Sequence, residues 1–216
     1  KPGAHAFIPV EFADAAYRFG HSQIRVSYRL NDAMAVPVFP DMGGGVAIAG
    51  THVIDWRRFF ALDPAVAPQA SKRIEARMAH TLIDLPEAVT GAALPDYQSL
   101  ACRDLTRARA LSLPSGETVA RHIGAQPLSA DETGLREFGW RAETPLWYYI
   151  LKEAQVRHRG ERLGEVGGRI VAEVLMGVID ADPTSYRAAD PTWQPVLPSH
   201  RDGEFTLADA VAFALA

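Results

Sequence analysis

Prolines and glycines cut this chain into short pieces, and that punctuation limits its fold more than any other feature. Pro37, Pro40, Pro64, Pro86, Pro114 and Pro145 each remove a backbone donor and fix φ, so no long element can run through them. Pro183, Pro191, Pro195 and Pro198 do the same near the end. Between the breaks, apolar residues recur every three or four positions, and alternating strand patterns are nearly absent. The expected class is therefore mainly α with long irregular joints, rather than α/β or all-β.

Residues 10–31 hold no proline and place Phe12, Ala15, Ala16, Phe19 and Ile24 at helical spacing, which predicts one helix ending near Asn31-Asp32. Residues 35–50 carry two prolines and a triple glycine and read as an extended loop with a short strand at 46–49. No Gly-Lys-Ser/Thr follows the glycines, so they are not a phosphate loop. Short helices are expected over 55–62, 69–83, 96–111, 116–123 and 131–139. Ser115 is a candidate N-cap without a capping box. Thr144 and Pro145 suit an N-cap and first helical position for a helix over 144–159. The most continuous helix is expected over 161–181, where Gly164, Gly167 and Gly168 suit a neighbour packed very close. Thr206 is a candidate N-cap for a last helix over 205–215. There is no internal repeat and no visible domain boundary. The length of 216 residues fits one domain, or at most one and a half.

The formal net charge of −4 gives no electrostatic case for nucleic acid as a partner. No apolar run approaches the roughly 18 residues that a membrane span needs. The start shows no signal peptide and no initiator Met, which reads as a processed, trimmed or excised chain. The lone Cys102 excludes an internal disulfide and a Cys-rich metal site, and reads as a small buried hydrophobe. It suits a cytosolic or a disulfide-free exported protein equally.

None of the seven histidines has another at i+3 or i+4, so there is no local zinc pair and no H-E-x-x-H. There is no G-x-S-x-G either. His21 stands out by context. Gly20 precedes it and would let something flat approach the backbone, and Arg18 and Arg25 lie at i−3 and i+4. An imidazole flanked by arginines suits a haem, with the ring on iron and the arginines on the propionates. Spacing alone leaves open a Gly-His pair at a tight helix crossing with solvated arginines. A ligating imidazole also needs an acceptor for its second nitrogen, and Asp104 serves if its helix packs on the first. By sequence alone, Asp104, Arg107 and Arg109 look more like an ordinary solvated face. Trp147, Tyr148 and Tyr149 read as core packing rather than a radical or stacking site.

Five segments in order resemble the animal-type haem peroxidases, including bacterial members and the more distant cyclooxygenases. EFADAAYRFGHSQIR (11–25) resembles the proximal-histidine helix, and LACRDLTRARALSLPSG (100–116) the later Leu-Asn-x-x-Arg-x-Arg segment. PLWYYILKEA (145–154), LGEVGGRIVAEVLMGVI (163–179) and PTWQPVLP with FTLADAVAFA resemble later parts of bacterial forms. The resemblance covers nearly the whole chain and is the only pointer to a bacterial source.

The resemblance implies that His21 is the proximal haem iron ligand and that Arg18 and Arg107 lie near haem propionates. Asp104 falls where the family usually has the Asn that orients the proximal histidine. A carboxylate there would give the imidazole more imidazolate character. Ala108 and Ser112 replace glycines of the family pattern. The implied cofactor is haem, b-type or covalently modified, and the implied activity is reduction of hydrogen peroxide with oxidation of a small-molecule donor through a ferryl haem.

The distal histidine and arginine, the haem-esterifying acids and the calcium-binding Asp of the family have no counterpart here. Residues 1–216 thus resemble the C-terminal, proximal-side portion of one peroxidase domain. The implied partner is the N-terminal portion of the same protein, and calcium would belong there. Two rivals stand beside this expectation. One is a helical interaction or scaffold domain that has lost haem chemistry, the other a fatty-acid dioxygenase of the same superfamily.

Overall fold

A computed structural model describes residues 7–42, 47, 49–91 and 94–216. The protein is mainly α, with 47% helix and 5% strand. Two compact units alternate along the chain: Lys1–Val26 with Lys72–Pro183, and Ser27–Ser71 with Thr184–Ala216.

The first unit opens with α1 (Val10–Ala13) and a 3₁₀ helix (Ala16–Gln23). The short helices α2 (His80–Ile83), α3 (Glu87–Thr90) and α4 (Pro95–Gln98) lead to α5 (Leu100–Ala110) and α6 (Gly116–His122). Then come α7 (Ala130–Thr133), a 3₁₀ turn (Leu135–Phe138), α8 (Leu146–His158) and α9 (Glu165–Ala181). α8 is the centre of this unit. Over its first nine residues it buries a broad face, from Leu146 and Trp147 through Tyr149, Ile150 and Leu151 to Ala154. So wide a buried face needs several neighbours, and α5, α6, α7, α9 and the first 3₁₀ helix all pack on it. Trp147 and Tyr149 are core residues, as the sequence suggested, and the Leu128 backbone N–H donates to the Tyr149 hydroxyl at 2.9 Å.

α9 lies tight against α8 at its start. A Cβ on Gly164 would fall 2.3 Å from Glu153 Cγ, and one on Gly167 would fall 2.5 Å from Ile150 Cγ2. The close neighbours are thus side chains of α8. Glu153 itself is buried, and its carboxylate accepts from the Val166 N–H at 3.1 Å and the Gly167 N–H at 3.4 Å. These are first-turn amides of α9 with no partner inside their own helix.

The second unit holds an antiparallel hairpin, β1 (Ser27–Arg29) and β2 (Ala35–Pro37), with Tyr28 opposite Val36. A 3₁₀ turn (Trp56–Arg58) is capped by Asp55, which accepts from the Arg57 N–H. α10 (Tyr186–Ala189) and α11 (Leu207–Leu215) complete it. Thr206 caps α11 as expected, and Asp209 returns the bond to the Thr206 N–H, forming a capping box.

Several expected boundaries are corrected. The single helix over 10–31 does not form. Ala15 and Ala16 are fully buried at a break after α1, the chain tightens into 3₁₀ geometry, and Ile24 turns extended to enter β1. Of the helix expected over 69–83 only α2 forms, because the preceding backbone bonds to distant segments, as in the Ile74 N–H to Gly160 O contact at 2.9 Å. The 55–62 helix is only the 3₁₀ turn Trp56–Arg58. The 96–111 helix divides at Ser99, whose hydroxyl accepts from the Cys102 N–H and starts α5. α7 begins earlier than expected, on a Ser129/Glu132 capping box. Thr144 does not cap α8: its N–H and hydroxyl both donate to Glu117, at 2.8 and 2.6 Å, and Pro145 takes the cap position. Ser115 does cap α6. Cys102 is half-buried rather than buried. The triple glycine, and most of the strand expected over 46–49, lie outside the described residues. Among the described residues no helix is long and apolar enough to cross a membrane.

Candidate functional site

The site is built where the first 3₁₀ helix meets α5. Eight residues is long for 3₁₀ geometry, which usually runs three or four. Its three-residue turn stacks i and i+3 in one row. Arg18 and His21 therefore point the same way, toward Asp104 on α5. His21 Nδ1 lies 2.8 Å from Asp104 Oδ2, and Arg18 Nη1 donates to Asp104 Oδ1 at 3.1 Å. Asp104 has 1% of its side chain exposed. The solvated Asp-Arg face favoured by sequence is thus corrected: the carboxylate is buried because two side chains of another element occupy both its oxygens.

An ionised carboxylate only accepts, so Nδ1–H is the donor, and a neutral ring keeps the Nε2 lone pair. Nε2 makes no hydrogen bond among the described residues, and the His21 side chain is 29% exposed. A Cβ built on Gly20 would meet nothing within 4 Å, so the backbone beside the imidazole is open.

Asp14 was not singled out by the sequence, and it completes the arrangement. It accepts from Arg18 Nη2 at 3.1 Å and from Arg107 Nη1 at 3.3 Å. Its i,i+4 spacing to Arg18 was the available signal. Arg18 Nε donates to Ala13 O, so Arg18 uses three of the roughly five N–H donors a guanidinium has. The Arg107 side chain has Asp14 as its one ion-pair partner among the described residues and is 56% exposed. Two carboxylates thus face two guanidiniums, and with a neutral imidazole the cluster carries no formal net charge. Trp147 Nε1 donates to Arg18 O at 3.4 Å, tying the 3₁₀ backbone to α8.

Two arginines fall outside this cluster. Arg25 lies past the end of the 3₁₀ helix, beyond the extended Ile24, so it does not continue the His21 row. Arg109 lines a cavity that does not include His21. Among the described residues no three His, Cys, Asp or Glu side chains gather as a metal cluster, and the site offers one imidazole.

In comparisons with known proteins, no family model matches the chain and no curated protein matches it.

Proposed function

We propose that this chain is the proximal, haem-holding part of a peroxidase of the animal type, with His21 as the iron ligand. The observation that carries the reading is the His21–Asp104 pair. A buried carboxylate 2.8 Å from Nδ1 fixes the ring and its tautomer, and leaves Nε2 without a partner beside an open stretch of backbone. That donor set fits haem: one neutral imidazole, a second-nitrogen acceptor and cations at the edge.

Bound haem would supply the reduction of hydrogen peroxide and the oxidation of a donor. The residues on this chain have distinct tasks. Asp104 holds Nδ1–H and raises the basicity of Nε2. Arg18 shares the charge of Asp104 and so tempers that effect. Arg107, with its one ion pair among the described residues and its exposed side chain, is the better placed of the two arginines to meet a propionate. Peroxide cleavage also needs a distal base and a cation. These would come from outside the cluster, with the N-terminal portion of the same protein as the expected source.

One observation favours the rival scaffold reading: Asp14, Asp104, Arg18 and Arg107 satisfy one another without any ligand. A haemin titration separates the two. Wild-type chain is expected to give a histidine-ligated Soret band that His21→Ala loses. A scaffold would give no such band, or one indifferent to His21.

A further inference from the structure

α5 has a second informative face. Asp104 turns inward on one side, while Leu105, Thr106, Ala108 and Arg109 line a cavity of about 480 Å³ on another. Leu113, Leu135 and Leu146 extend its apolar wall, and Trp140 and Tyr148 add two aromatic rings. Trp140 is 44% exposed, yet its indole is tethered, because Nε1 donates to Glu143 O at 3.2 Å.

The polar groups around this cavity divide sharply. Thr144 is committed to Glu117, and the Tyr148 hydroxyl donates to Thr133 O. The Glu143 carboxylate is taken up by Ser115, Thr118 and Arg121. Thr106 and Arg109, one helical turn apart, make no side-chain hydrogen bond or ion pair among the described residues. The cavity thus has apolar and aromatic walls, one uncommitted cation and one uncommitted hydroxyl. Among the described lining residues the one carboxylate, Glu143, is already paired with Arg121.

We propose that this cavity binds a small aromatic carboxylic acid, with the ring against Trp140 and Tyr148 and the carboxylate on Arg109 and Thr106. Apolar walls hold the body of such a ligand, and a few placed polar groups orient it. A guanidinium meets a carboxylate through paired N–H donors, and a free cation in the last turn of α5 is well placed to do so. His21, Arg18 and Asp104 do not line this cavity, so binding there is independent of haem.

Isothermal titration of the full chain with 3-phenylpropionate and with the uncharged 3-phenylpropionamide tests it. The acid is expected to bind one to one and the amide roughly tenfold more weakly, as loss of a charge-assisted pair implies. Arg109→Gln should erase that difference. Arg109 is exposed on α5, so the variant should keep the wild-type circular dichroism. The Trp140 indole N–H resonance should shift on saturation. No binding at millimolar acid, equal binding of acid and amide, an unchanged affinity in Arg109→Gln, or binding without a Trp140 shift would each overturn the proposal.

Discussion

Asp104 is buried because His21 and Arg18 hold one carboxylate oxygen each, at 2.8 and 3.1 Å. The contact joins residues 83 positions apart and locks the first 3₁₀ helix to α5. Removing the carboxylate leaves an imidazole and a guanidinium facing an apolar gap. Asp104→Leu should destabilise the protein by about 2–3 kcal/mol, below the full cost of breaking a buried pair because both partners are partly exposed. Urea denaturation measures it. Asp104→Asn keeps an acceptor for Nδ1–H and should cost less. With haemin bound, it should also raise the Fe(III)/Fe(II) potential; no rise would remove the charge argument.

The start of α9 offers a paired test of packing. Ala is normally better than Gly inside a helix by about 1 kcal/mol. Gly168→Ala meets nothing nearer than Leu163 Cβ at 3.7 Å and should stabilise. Gly167→Ala drives a Cβ to 2.5 Å from Ile150 Cγ2 and should destabilise by up to about 2 kcal/mol, the usual range for overpacking less the helix gain. Thermal melts of the two variants should move in opposite directions.

Glu153 carries a pH signature. Burial pushes its carboxyl above the usual range, although the Val166 and Gly167 amides pull it back. A folded-state value above the unfolded one means that Glu153 contributes most below the unfolded value of about 4.5. That contribution is lost as pH rises through the folded value. The stability of wild type minus that of Glu153→Gln should therefore fall as pH rises from about 4.5 through the folded value. Urea midpoints across that range read it, and a flat difference would contradict the assignment.

Glu143 should behave in the opposite sense. Ser115, Arg121 and Thr118 donate to it and hold its carboxyl at about 2. Its contribution is present above the unfolded value and disappears as pH falls from about 4.5 toward 2. Glu143→Gln should flatten that part of the acid-unfolding curve and lower neutral stability by the same amount, a small one because the group is half-exposed and screened by solvent.

The helical class was legible because apolar spacing and proline breaks are local signals. So were the caps at Ser115 and Thr206, which need only residues within one turn. The break at Ala15-Ala16 was not legible. Two small residues at helical spacing look like helix, and only the core around α8 forces the chain to turn there. Asp104 shows the same limit. Its type and spacing fitted a solvated face, and its burial depends on Arg18 and His21 arriving from another element. Glu153 was invisible for a related reason, since its partners are the unpaired amides of the next helix.

Nε2 of His21 is the atom that would meet the iron, and a cavity variant probes it directly. His21→Gly should bind haemin without a histidine-type Soret band. Added imidazole, filling the space beside Asp104, should restore that band in a saturable way. A histidine-type spectrum in His21→Gly without imidazole would contradict the account.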